Sequence, residues 1–414
     1  MSLQRSIYLL VMLGTLIGVT SSLLGRELVY QALVVAVTGL VLLVALQLVR
    51  RRGGNYGLFA ALASLPMLIA LSVLINGFVS GNHVYLVFLV TFLVVLSLDG
   101  GDLGERLLQA TNVTYVVYLA GSLLVYFGVI ELTKGLNIFD AATRVPWLRI
   151  KTLVGLYGST AHIDSISLFV ALLNLAFGKP RRKWAMVVLA LAASALSVRY
   201  TPFAALAIAL VAVCCLRVTR RSPQASRLVA TVAALVVVFA PFLLLALDRV
   251  AGSPELSLAL DRATNGRIKI WSAMLEVYAN DVGLFGQLFG TAVTEQVYEV
   301  GGWPRVHPGT GEVVEFRTSN PHNTYLAFML SYGLVPFLAL VLVIAYWAMR
   351  FLRGWRAVLF FFVLAVGITN AELMTFHFPV YVAWAVALGR EQLALRPARA
   401  AVRVRDPLAA HATA

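Results

Sequence analysis

Charge is scarce in this chain. Charged residues fill 13% of its 414 positions, and hydrophobic residues fill 60%. A soluble domain carries about a quarter charged residues, so the shortfall excludes an ordinary water-soluble fold and puts much of the chain in lipid. Acid is scarcer than base: 19 Asp and Glu face 33 Lys and Arg, for a net charge of +14. That excess could serve a nucleic acid, but the basic residues punctuate apolar runs and form no single face, so no nucleic-acid partner is expected. Cysteine is nearly missing, and Cys214 and Cys215 stand side by side in an apolar run, where they make neither a useful disulfide nor a metal site. The first apolar run lacks a small-residue cleavage site leading into a soluble domain, so it is expected to stay as a span. No internal repeat of the kind that marks many transporters is present.

What the chain has instead is long apolar runs. They lie near 6–24, 28–49, 57–76, 84–98, 111–130, 163–178, 184–198, 202–216, 228–247, 323–348, 357–372 and 378–390. A transmembrane helix needs about 20 such residues, so the expected fold is all-α and polytopic, with about twelve spans and a range of eleven to thirteen. Lys and Arg cluster at 50–52, 179–183, 217–227, 350–356 and 396–405. With twelve spans every cluster falls on one side, which the positive-inside tendency makes cytoplasmic, along with both termini.

The expected organisation is therefore spans one to nine over 1–247, with a medium outward segment at 131–162. A long outward loop follows at 248–322, then spans ten to twelve over 323–390 and a basic cytoplasmic tail at 391–414. Within the long loop, periodicity predicts short amphipathic helices near 254–263 and 267–280, followed by a Gly/Pro-rich stretch from Gly301 to Pro321.

No Asp, Glu, Lys, Arg or His falls mid-span on these boundaries; Asp164, Arg199 and Glu372 all lie near outer ends. Ion-coupled carriers place a titratable group near the midplane, so this distribution counts against one. The outward segments nevertheless hold many cations, among them Arg144, Arg149, Arg199, Arg267 and Lys269. Arg199 lies between two spans with almost no loop, so its guanidinium belongs at the outer surface as a snorkelling anchor or in a cavity as a ligand. Arg267 follows the turn signal Asn265-Gly266 and opens a helix. A cation in a helix's first turn opposes the dipole by about 0.3–1 kcal/mol, a sign that a bound anion such as a diphosphate would reverse.

Asn320-Pro321-His322-Asn323 closes the loop, with Asn320 or Pro321 expected as the helix cap and His322 in the first turn. There the dipole would favour a neutral imidazole, which can accept a proton from a hydroxyl. The bland alternative is an interfacial anchor. No His or carboxylate pair has metal-ligand spacing, so no metal and no cofactor are expected.

Arg199, Gly266-Arg267 with Trp271, His322-Asn323-x-x-Leu326 with Gly333, and the long outer loop together resemble the O-antigen ligase and polymerase superfamily of bacterial glycan-assembly enzymes. The resemblance covers about 197–340; the flanks match only in span number and topology. That family often has Ser-Arg where this chain has Val198-Arg199, so only the arginine carries over. The resemblance implies metal-independent, inverting glycosyl transfer at the periplasmic face of the inner membrane. The donor would be a glycan on undecaprenyl diphosphate and the acceptor a hydroxyl of lipid A-core, as in the ligase, or another carrier-linked glycan, as in the polymerase. It assigns the leaving diphosphate to Arg199 and Arg267, with Lys269, Arg144 and Arg149 as helpers. His322 would be the general base, Asn323 the orienter of that base or of the acceptor, and Glu372 a neighbour of the pocket. A carrier-lipid flippase or polysaccharide exporter is the alternative from another class.

Overall fold

A computed structural model describes residues 68, 71–72, 103–130, 152–155, 160–197, 201–264, 266–291, 297–306, 313–318, 320–351 and 355–369. Of these, 82% are helical. Two helices, Thr201–Val218 and Pro223–Val250, are long and apolar enough to cross a membrane. The outer spans expected at 6–24, 28–49, 84–98 and 378–390 lie outside the described residues, as does the basic tail.

Five helices make the first bundle: α1 (Leu103–Tyr126), α2 (Thr160–Phe177), α3 (Pro180–Ser197), α4 (Thr201–Val218) and α5 (Pro223–Ala251). Pro180 opens α3 and Ser222 caps α5, its hydroxyl accepting the Ala225 N–H at 3.3 Å. Helix α2 is the central one. It is buried from Ile163 to Asn174 and packs on α1 and α3. Its polar residues face inward and pair across helices. Asn112 and Asn174 exchange hydrogen bonds of 3.0 and 2.8 Å, Tyr115 and Ser167 share one of 2.8 Å, and Ser194 donates to Asp164. The outside is the reverse: Trp184, Val188, Val211 and Leu228 are each at least 62% exposed. Buried Ala205, Ala209 and Ala212 give α4 a thin face, and on it packs α11 (Trp355–Thr369) with Phe360, Phe361 and Phe362 buried.

The loop expected after residue 247 does contain the two predicted helices, α6 (Pro254–Ala263) and α7 (Arg267–Asn280). It also contains what the sequence reading lacked, so the loop departs from an all-α fold. A short helix α8 (Leu284–Phe289) follows, then an antiparallel hairpin of β1 (Val300–Val306) and β2 (Val313–Thr318). The hairpin registers Val300 with Thr318 and Val306 with Val313, and an irregularity lies between Gly301 and Trp303 where Gly302 adopts φ 92°.

The tenth expected span, 323–348, is not one helix. It is α9 (Thr324–Tyr332) and α10 (Leu334–Phe351), separated by Gly333 at φ 85°. The cause is a long-range contact. The backbone of Leu288 and Gly290, at the end of α8, lies so close to Gly333 that a side chain there would overlap it, and Gly290 itself abuts the Ser331 carbonyl. Every residue of α9 is buried, between α10, α11, α5 and α8. Phe239 and Phe242 of α5 meet Phe337 of α10 at ring distances of 5.8 and 5.9 Å, which ties that pair of long helices together.

Candidate site at the loop and helix junction

The turn between α6 and α7 is built to start a helix at Arg267. Gly266 takes φ 77°, and its N–H bonds to the Asp261 carbonyl at 2.8 Å. From there Ile268, Ile270, Trp271 and Met274 are buried, with α7 packed on α5 and β1. Arg267 is partly buried at the first helical position and lies one turn before Trp271, so the two share a helix face. The buried indole Nε1 of Trp271 donates to the carbonyl of Pro321 at 2.7 Å. The next residue is His322. Two sequence candidates far apart in the chain, Arg267 and His322, therefore belong to one junction.

The segment before α9 is fixed residue by residue. The Asn320 N–H donates to Thr318 Oγ1 at 3.0 Å, and Asn320 Oδ1 accepts the His322 N–H at 2.8 Å. His322 is partly buried, and among the described residues it alone combines a side chain with positive φ, at 50°. Histidine enters the left-handed region more readily than most residues, yet such an outlier costs about 1–3 kcal/mol and persists only where its surroundings hold it.

Asn323 then caps α9, and this corrects two expectations. The cap is Asn323, not Asn320 or Pro321, because its Oδ1 accepts the Leu326 N–H at 2.8 Å. His322 consequently sits one residue outside the helix and is not a first-turn residue, so the dipole acts on it less than the sequence reading assumed. The structure shows a second engagement of Asn323. Its side chain is fully buried, and its Nδ2 donates to the Ile368 carbonyl at 2.7 Å, which docks α9 on the end of α11. Tyr325, two residues on, repeats that docking one turn back along α11, donating to the Leu364 carbonyl at 2.7 Å.

Lys269, expected as a helper at the diphosphate, already has a partner: its Nζ lies 3.4 Å from Asp261, and its side chain is 63% exposed. Asp164 is not merely near an outer end. It is fully buried in the bundle, with Ser194 donating to one carboxylate oxygen and the other oxygen lacking a protein partner among the described residues. Arg199, Arg144, Arg149 and Glu372 lie outside the described residues. Among the described residues no group of three His, Cys, Asp or Glu could hold a metal.

Sequence reasoning missed Trp271 as a donor and Asn320 as an acceptor. A signal was available for the first. A tryptophan on the inner face of a short helix needs a partner for its N–H, and a backbone carbonyl in the loop just before a helix is free to accept it. Farther out, burial pushes the Tyr278 hydroxyl up to about 12, and that hydroxyl donates to the Gln287 carbonyl. Gln287 Nε2 returns bonds of 3.0 and 2.9 Å to the carbonyls of Tyr278 and Val282, which ties α8 to the end of α7. No family model, curated protein or solved structure matches this chain.

Proposed function

We propose that this chain is a bacterial inner-membrane glycosyltransferase of the O-antigen ligase type. It moves a glycan from undecaprenyl diphosphate to a hydroxyl of lipid A-core at the periplasmic face. The carrying observation is the 2.7 Å bond from Trp271 to Pro321, which places the helix headed by Arg267 against the residue before His322. A cation and a proton acceptor at one junction are what this transfer requires. The acceptor oxygen attacks the anomeric carbon, the bond to the diphosphate oxygen breaks, and the diphosphate leaves with the electron pair. His322 takes the hydroxyl proton. Arg267, with Arg199, offsets the charge that develops on the leaving group. The donor is already activated, so neither a nucleotide nor a metal is needed, and one displacement inverts the anomeric centre.

The membrane part of the reading rests on the apolar exterior of α3, α4 and α5 and the inward polar pairs. With twelve spans, the loop from α6 to β2 faces the periplasm and the Arg217–Arg221 turn faces the cytoplasm. Broken spans in transporters open a ligand site at the break, but here protein backbone fills the break at Gly333, which favours an enzyme over a flippase or exporter.

The test is transfer in reconstituted membranes from purified undecaprenyl-diphosphate glycan, with EDTA present and with lipid A-core and carrier-linked acceptors supplied separately. Arg267→Ala is expected to lower kcat by about 10²–10³-fold, the cost of an electrostatic stabiliser. His322→Ala should abolish transfer with membrane insertion intact. Wild-type rates in either variant would sink the assignment. Activity only with the carrier-linked acceptor would make the chain a polymerase.

A further inference from the structure

His322 stands after a peptide unit that is held from both edges. The Pro321 carbonyl and the His322 N–H belong to that one peptide. The carbonyl accepts from Trp271 Nε1 at 2.7 Å, and the N–H donates to Asn320 Oδ1 at 2.8 Å. Rotation of a peptide plane turns its carbonyl and N–H together, so two bonds on opposite edges fix it more firmly than two on one edge. On the other side, Asn323 is tied to both Leu326 and Ile368. The left-handed His322 backbone, at φ 50°, is thereby set by the residues before and after it.

We infer that Trp271 and Asn320 form a peptide clamp, and that Trp271 is a positioning residue which sets the His322 imidazole and its register against Arg267. This rests on the reading that His322 and Arg267 carry the transfer. Trp271 is suited to the task because it is 1% exposed and therefore rigid, and because it shares a helix face with Arg267. A bond from that helix to the peptide of His322 locks the distance between proton acceptor and cation as well as the angle of the ring. The indole contributes no proton to the reaction. Its N–H is spent on the carbonyl, so its effect on rate passes through geometry alone.

The experiment uses the full chain in reconstituted membranes. Trp271→Phe keeps an aromatic ring and removes the donor, and Asn320→Ala removes the acceptor at an exposed site. Asn320→Asp keeps an acceptor oxygen and serves as the rescue. Kinetics with the undecaprenyl-diphosphate glycan should show kcat lowered about 100-fold in Trp271→Phe and Asn320→Ala, with the donor KM unchanged, because a misplaced reacting group costs on that scale. Asn320→Asp should recover kcat to within about tenfold of wild type, because its oxygen can still accept the N–H.

A second readout does not depend on turnover. The rate at which diethyl pyrocarbonate modifies His322, followed by mass spectrometry, should change several-fold in Trp271→Phe and Asn320→Ala but not at His83. If Trp271→Phe fails to fold, Asn320→Ala carries both measurements. Wild-type kcat and wild-type His322 reactivity in the folded variants would overturn the clamp. A shift in reactivity alone, in a chain whose wild type transfers no glycan, would keep the clamp and overturn the glycosyl-transfer reading.

Discussion

At the scale of single residues, the left-handed backbone of His322 is the feature that an imidazole would not choose for stability. Asparagine enters that region more readily, so His322→Asn should leave the fold as stable as wild type or raise it by up to about 1 kcal/mol while abolishing transfer. Thermal unfolding in detergent checks this, and a midpoint several degrees lower would contradict it. Asn323 predicts the opposite pattern. Asn323→Ala loses the cap of α9 and its bond to Ile368. The cap alone is worth about 1 kcal/mol, and the buried carbonyl left unmet adds about 1–3 kcal/mol. The unfolding midpoint should fall clearly, and a variant with wild-type stability but no activity would return Asn323 to a chemical role. Arg267 and His322 were legible in the sequence because a cation at a helix start and a histidine at a membrane re-entry are misfits that local structure does not explain. The cap was not. In Asn320-Pro321-His322-Asn323 two asparagines can each cap, and the choice falls to Ile368, far away in the chain.

At the scale of elements, α6 and α7 were legible to the residue, because Gly252, Gly266 and the apolar periodicity mark their ends locally. The hairpin was hidden behind Gly301-Gly302-Trp303-Pro304, which reads as loop, although the alternation in Val313–Thr318 was there to be seen. The break in the tenth span was out of reach. A single glycine inside an apolar run is usually tolerated, and what forces the break is backbone from α8. Gly333→Ala should therefore be severe: it places a Cβ into the backbone of Leu288 and Gly290 at a φ of 85°. Loss of the monodisperse peak in size-exclusion chromatography is the expected outcome, and a folded, active variant would show that the break has room to spare. An alanine in place of Gly252 has open space around it and meets only the strain of φ 56°, about 1–3 kcal/mol, so it should lower stability yet keep that peak.

At the scale of the whole molecule, helices placed in lipid gain no hydrophobic drive to associate, so on the proposed reading close packing on α4 and the inward polar pairs hold the bundle together. The same inversion fixes which surfaces are wet. Single cysteines at Glu255, Glu276 and Glu315, all exposed, should react with an impermeant maleimide from outside intact spheroplasts, in a background lacking Cys214 and Cys215. A cysteine at Arg221 should react only after permeabilisation. Labelling in the reverse pattern would turn the loop to the cytoplasm and remove it from periplasmic donors. That the chain is mostly helical, with helices apolar enough to cross a membrane, was legible from run lengths, but how α4 receives α11 was not, since alanine spacing names a thin face and not its occupant.

The contact between Gly290 and Gly333 has a consequence for how the chain is made. On the proposed topology, synthesis delivers α8 to the far side of the membrane before the segment around Gly333 is inserted. The insertion machinery, which releases apolar segments one by one, meets in α9 and α10 a segment whose break has no filler of its own. Assembly must therefore wait for an exported piece of chain to fold back and dock. On that topology a translocated segment and a newly inserted one must meet at Gly333, and a ribosome-stalled chain ending before Gly333 would hold α8 without its seat.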